Sequence, residues 1–266
     1  MSYQNGTLAR LPGVDLWFTD SGGDGPAVVL LHANTGTAES WEPQSAAFSS
    51  AGYRVITFDR RGWGRSIAKP ERGPQPASVA DDLDALTDHM GLSRFHLVGV
   101  AGGGFVALDY AAWRPEKLRS LVVAASTGQV AEPEIDAFIA TIEIPELRRQ
   151  SAIYREIGAS YRGSSPDGVR RWLEIHARSM QKGAAVQPMR TPNTFRKIEG
   201  IEVPTLAILA DADLIAPPAL MRIWIDHMSN CECATILDAG HSVAWEQTEE
   251  FNRVVLDFLA RRDGVV

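Results

Sequence analysis

The sequence predicts an α/β fold: a mostly parallel sheet flanked by helices, with a helical segment inserted late in the chain. Three observations carry that prediction. Short apolar runs alternate with stretches of helical period, the pattern of βα units. Several of those runs are apolar on both faces, as strands covered by helices on both sides must be. The alternation stops between Ser126 and Glu199, where Pro133, Pro145, Gly163, Pro166, Gly183, Pro188 and Pro192 punctuate a series of amphipathic segments.

Taken along the chain, residues 14–19, 27–31 and 54–58 read as strands rich in Val, Leu and Ile. A helix is predicted over 78–90, a strand over 95–99 and a helix over 103–113. Arg114-Pro115 closes that helix, because proline disfavours the helical conformation in the residue before it. A further strand spans 119–124. After the inserted segment, strands over 205–210 and 233–237 alternate with helices over 217–228 and 247–261. The predicted organisation is therefore a core made of residues 1–126 and 200–266, with a helical cap at 127–199. The cap side chains Trp172, His176, Met180, Met189 and Phe195 either roof a pocket or form the cap's own small core.

Composition narrows the function. The chain has 266 residues, 45% hydrophobic and 22% charged, enough for one large domain with a sizeable core. A formal net charge of -7 leaves no basic surplus to displace counterions from a polyanion, so no nucleic-acid partner is expected. No basic n-region precedes an apolar stretch at the start, and no apolar run is long enough for a bilayer. The expectation is a cytoplasmic protein with a small-molecule substrate and no membrane partner; a homodimer is compatible with this composition. Cys231 and Cys233 alternate along one strand face, which excludes a disulfide framework, and too few soft ligands stand near them for a metal site. The run Asp81, Asp82, Asp84 is expected to be a solvated helix face. His89, His96 and His227 are expected to be surface or satisfied core residues.

The chemistry gathers around Phe95-His-Leu-Val-Gly-Val-Ala-Gly-Gly-Gly-Phe, a strand entering a glycine-dense turn and then a helix. A dinucleotide loop fits poorly: the spacing fails G-x-G-x-x-G at its second glycine, and the first βα turn carries no such motif. No P-loop motif occurs. The turn does resemble the nucleophile elbow Gly-x-Ser-x-Gly of the α/β-hydrolase superfamily, with Gly99 and Gly103 in place and Ala101 where the serine belongs. The resemblance extends over nearly the whole chain. Leu30-Leu-His-Ala-Asn-Thr-Gly is similar to that family's oxyanion loop, with Ala33 for its usual glycine, and Phe58-Asp-Arg-Arg-Gly-Trp-Gly-Arg-Ser66 resembles its D-x-x-G-x-G-x-S loop. Leu209-Ala-Asp-Ala-Asp-Leu-Ile-Ala-Pro217 resembles the turn that bears the triad acid, and Asp238-Ala-Gly-His-Ser-Val-Ala-Trp resembles the histidine loop of carbon-carbon bond hydrolases and related esterases.

The resemblance implies roles residue by residue. Asp213 is the acid, with Asp211 a neighbour, and His241 the base. The N–H groups of Gly102 and Asn34 form the oxyanion hole. His32, Trp172 and His176 are candidate substrate contacts, with His32 expected to support the oxyanion loop by hydrogen bonding rather than to react, and no cofactor is implied. His241 also stands on its own chemistry: an imidazole on a loop can pivot toward substrate, and its near-neutral pKa suits proton transfer.

Ala101 divides the functional reading. A methyl group cannot attack a carbonyl, so acyl-enzyme chemistry is closed to this chain. One explanation is an engineered, inactivated variant of a serine enzyme. The other is a natural serine-less chain in which His241 and Asp213 act as a general base on water or substrate. Ser126, Ser66 and Ser242 are not predicted at the elbow tip and do not substitute. The implied substrate is a small ester, lactone or carbon-carbon-linked carbonyl. Ser242 departs from the tryptophan that follows the histidine in many carbon-carbon hydrolases, and an aspartate at 101, which would signal dehalogenase or epoxide hydrolase chemistry, is absent. A non-catalytic ligand-binding protein on the same scaffold is the alternative.

Overall fold

The structure is a computed structural model that describes residues 6–264. Its strands are β1 (Thr7–Leu11), β2 (Val14–Asp20), β3 (Ala27–Leu31), β4 (Arg54–Phe58), β5 (Ile67–Ala68), β6 (Phe95–Val100), β7 (Leu118–Ala124), β8 (Thr205–Ala210) and β9 (Cys231–Ile236). Among the described residues they form one sheet in the order β1-β2-β4-β3-β6-β7-β8-β9, with β5 beside β2. Pairing is antiparallel from β1 to β4 and parallel from β4 through β9. The inner strands β3 and β8 are buried at every residue, which is why their sequences are apolar, Thr205 apart, rather than alternating.

The helices are α1 (Glu42–Ser50), α2 (Val79–His89), α3 (Gly102–Trp113), then α4 (Pro133–Ile142), α5 (Pro145–Arg148), α6 (Ala152–Glu156), α7 (Ala159–Ser164), α8 (Pro166–Ala177) and α9 (Phe195–Glu199) between β7 and β8, and finally α10 (Pro218–Ile225), α11 (Val243–Glu246) and α12 (Thr248–Asp263). Two apolar clusters cover the two sheet faces. On one, Leu83, Leu86, Val106, Leu108 and Trp224 of α2, α3 and α10 pack against Val29, Leu97 and Val123. On the other, Phe48 of α1 and Phe251, Val255 and Phe258 of α12 pack against Val28, Val98 and Val122. With both faces covered, the crevice at the carboxyl ends of the parallel strands is the place left for a ligand.

The acidic run on α2 corrects an expectation. Only Asp81 lies toward solvent. Asp82 is 3% exposed and Asp84 8%. Asp82 receives Arg61 through Nη2 at 2.6 Å and Nε at 3.1 Å, together with Gln187 Nε2 at 2.7 Å. Asp84 receives Lys117 Nζ at 2.7 Å, Tyr110 Oη at 3.0 Å and Arg114. Asp82 and Asp84, two residues apart, do not share a helix face, and each meets its own cation from a distant segment, Arg61 and Lys117 respectively. Asp82→Ala should cost about 3–5 kcal/mol of stability, because it strands the buried Arg61 guanidinium. Chemical unfolding of the two proteins measures it; a change under about 1 kcal/mol would assign the pair no more than a surface role.

Candidate active site

The turn between β6 and α3 is built by small residues. A Cβ on Gly99 would lie 2.4 Å from the carbonyl oxygen of Gly103, and a Cβ on Gly103 would lie 2.3 Å from that of Leu31. Strand and helix therefore approach with no room for side chains. Ala101 sits at the tip with φ 49° and ψ −114°, a left-handed conformation that costs a residue bearing a Cβ about 1–3 kcal/mol. The strained tip is tied down: Ala101 N–H donates to Ala124 O at 3.0 Å, and its carbonyl accepts from Gly104 N–H at 3.0 Å and Ser126 Oγ at 2.8 Å. Ser126 is thus spent on holding the turn. Ser66 is likewise engaged, between Asp59 O and Trp17 N–H.

His241 follows β9, and Asp213 follows β8. His241 Nδ1 lies 2.8 Å from Asp213 Oδ2, and both residues are buried. The other oxygen, Oδ1, accepts from the backbone N–H groups of Ile215 at 2.7 Å and Ala216 at 2.9 Å. Asp213 is fixed on both sides; Asp211 points elsewhere, its Oδ1 3.4 Å from Ala239 N. Burial works against the imidazolium of His241, but the charge and hydrogen bond of Asp213, aided by Glu156 and Glu246, outweigh it and hold its pKa above the ordinary value. For Asp213, burial pushes upward, and His241 with the two backbone donors more than offsets it, leaving the carboxyl below its ordinary range.

His241 faces a cavity of about 210 Å³ that it shares with Ala101, Gly102, Asn34, Thr35 and two residues of α6, Arg155 and Glu156. Gly102 opens α3, so its N–H belongs to the donors a helix start leaves unpaired, at the positive end of the helix dipole. Asn34 lies beside it: a Cβ on Gly102 would come within 2.3 Å of Asn34 Oδ1. Arg60 Nη2 holds that side chain at 2.8 Å, and Trp63 Nε1 donates to the Asn34 carbonyl at 2.8 Å.

The three expected substrate contacts fare differently. His32 lines a recess beside His241 but is fully buried, and its nitrogens serve as loop supports: Nδ1 pairs with Ala33 O at 2.7 Å, and Nε2 accepts Arg60 N–H at 3.1 Å. Burial and the Arg60 charge keep it neutral, its pKa well below the ordinary value. It braces the oxyanion loop and has no nitrogen left for a ligand. Trp172 lines the same recess, of about 40 Å³, which His241 also borders. His176 stacks behind Trp172 with ring centroids 5.1 Å apart and lines neither cavity.

Sequence reading missed Thr35, Arg155 and Glu156. Glu156 is buried and accepts the Thr35 hydroxyl at 2.6 Å, while its carbonyl takes Ser242 N–H at 2.9 Å. Glu246 Oε2 accepts Gly158 N–H at 2.8 Å and Gly240 N–H at 3.0 Å. These bonds clamp the end of α6 to the histidine loop. Thr35 adjoins Asn34 within a motif legible in the sequence. The α6 pair carries no motif at all. Among the described residues no group of three or more His, Cys, Asp or Glu is placed to hold a metal.

Comparison with known proteins places the chain among relatives. Residues 28–254 match the model of the alpha/beta hydrolase family. A 2-hydroxy-6-oxononadienedioate/2-hydroxy-6-oxononatrienedioate hydrolase of Burkholderia vietnamiensis is 28% identical, over 92% of this chain and 90% of its own. A thermophilic esterase from Thermogutta terrifontis superposes with a TM-score of 0.77 at 25% identity, covering 96% of this chain and 97% of that one. The enol-lactonase of Burkholderia xenovorans LB400 superposes with a TM-score of 0.78 over 95% and 99% of the two chains; at 23% identity it speaks for the fold.

Proposed function

The chain belongs to the alpha/beta hydrolase family, and from that premise we propose that it hydrolyses a small ester, lactone or carbon-carbon-linked ketone, with His241 as general base on water. The observation that carries the reading is the buried contact of 2.8 Å between His241 Nδ1 and Asp213 Oδ2 at the wall of a cavity shared with Ala101. It commits Nδ1 to the carboxylate and leaves Nε2 to take a proton.

The steps follow from that arrangement. A water molecule above Ala101, in the space a serine hydroxyl would fill, gives a proton to Nε2 while its oxygen bonds to the substrate carbonyl. Negative charge moves to the carbonyl oxygen, where the N–H groups of Gly102 and Asn34 receive it. The tetrahedral species collapses, and the imidazolium returns its proton to the leaving alcohol or carbon. Asp213 stabilises the imidazolium and fixes the tautomer without taking the proton itself. A protein that only binds a ligand has no use for an imidazole held by a buried carboxylate, which is why catalysis is preferred to binding.

Phenyl acetate, a γ-lactone and a 2-hydroxy-6-oxodienoate sample the three bond classes. Turnover of at least one is expected, with a loss of about 10²–10⁴-fold in His241→Ala. No turnover of any of the three, or equal rates in both proteins, would overturn the proposal.

A further inference from the structure

The cap carries several arginines, and most are neutralised. Arg171 and Arg178 meet Glu39, Arg190 meets Asp81, and Arg148 meets Glu143. Arg155 differs. It is half-buried, its Nε is buried with no partner, and it makes no hydrogen bond or ion pair among the described residues. A partly desolvated cation without a counter-ion is costly to keep in a folded chain.

Its position is specific. Arg155 and Ile215 line both the cavity of His241 and a neighbouring one of about 240 Å³. The second cavity is otherwise walled mainly by Ile139, Ile144, Leu147, Leu214 and Leu220, and its two other charged residues, Glu143 and Arg148, neutralise each other at 2.8 Å. The adjacent Glu156 forms no ion pair with Arg155; its carboxylate accepts the Thr35 hydroxyl instead. One unpaired guanidinium therefore stands between a polar, catalytic cavity and an apolar one.

We propose that Arg155 binds a carboxylate of the substrate, so that the hydrolysed compound is an acid: a half-ester, a lactone acid or an oxo acid with a short hydrocarbon portion. This deepens the hydrolytic reading and rests on it for the bond that is cleaved. The carbonyl lies at Gly102 and Asn34, the carboxylate pairs with the planar guanidinium, and the hydrocarbon enters the adjoining apolar cavity. A singly charged carboxylate balances the one cation, whereas a phosphate dianion would leave an excess negative charge beside Glu156.

The test measures binding, so it does not depend on turnover. Hexanoate and its neutral counterpart hexanamide are titrated by calorimetry into the wild-type chain, Arg155→Gln, Arg155→Lys and Arg170→Gln, the last an exposed arginine paired with Asp167 and lining neither cavity. Hexanoate is expected to bind wild type and Arg170→Gln alike. It should bind about 10- to 100-fold more weakly to Arg155→Gln, with partial recovery in Arg155→Lys, while hexanamide is weak throughout. Arg155→Gln removes no internal partner and should keep the wild-type melting temperature, which separates lost affinity from lost fold. Equal binding of acid and amide, no binding of hexanoate, or indifference to Arg155→Gln would overturn the assignment. None of these results alters the expectation for His241→Ala in hydrolysis, so the two readings fail separately.

Discussion

Ala101→Ser is expected to produce a serine hydrolase that a fluorophosphonate labels and that cleaves short aryl esters by way of an acyl-enzyme. The reasons are geometric. Position 101 already holds the left-handed tip of the turn, with φ 49° and ψ −114°, and serine adds one oxygen to a Cβ that is already there, so no new backbone strain arises. The base, the acid and the helix start after the tip are in place. In enzymes of this design, loss of the serine alone costs about 10⁶-fold in kcat. The gain here should be on the order of 10³-fold or more over the alanine chain, whose water route offsets part of the loss. Labelling of the serine form alone would make Ala101 the sole defect in a serine hydrolase, as an inactivated variant would have. A folded Ala101→Ser protein that stays unlabelled would mean that the turn is not poised for acyl transfer, and that base catalysis on water is the native route.

Asp213→Asn should lower hydrolysis by about 10³–10⁴-fold with little loss of fold. The asparagine oxygen can still accept from Ile215 and Ala216, which Asp213 Oδ1 now does, so the loop after β8 keeps its shape. The other contact changes in kind. An amide NH₂ facing His241 Nδ1 favours the tautomer with its proton on Nε2, the nitrogen that must accept one. It also removes the charge that stabilises the imidazolium. A rate within about threefold of wild type would remove Asp213 from the mechanism.

Much of this site was legible in the sequence because motif residues lie where parallel strands end, and strand ends are set by hydrophobic patterning. Strands at 27–31, 54–58 and 205–210 agree residue for residue with the structure, since each is a mainly apolar run that ends at a polar residue, His32, Asp59 or Asp211. Asn34 and Asp213 each stand three residues after one of these strands, Gly102 two after β6, and His241 five after β9. The edges were harder: Thr7–Leu11 buries only Ala9 and Leu11, too little alternation to announce a strand, and β5 is two exposed residues. The supporting role of His32 was legible from its place in the oxyanion loop, whereas its second partner, the Arg60 N–H, is supplied by a segment 28 residues away. The inward turn of Asp82 and Asp84 depended on Arg61 and Lys117, which are distant in sequence. Arg155 and Glu156 lie on a five-residue helix whose register against the histidine loop is set by Glu246 and the Ser242 N–H, and nothing in the local pattern of the cap reports it.

The central claim is that neutral His241, held by Asp213, is the base, and the pH dependence of kcat/KM for the chain as it stands tests it most directly. Because the folded state raises the His241 pKa and the base must be unprotonated, activity should be low in acid and rise with pH. The midpoint should lie above the ordinary imidazole value of about 6.5, and Asp213→Asn should move it down. A flat profile, a midpoint in the carboxylate range, or a midpoint unmoved by Asp213→Asn would contradict the account.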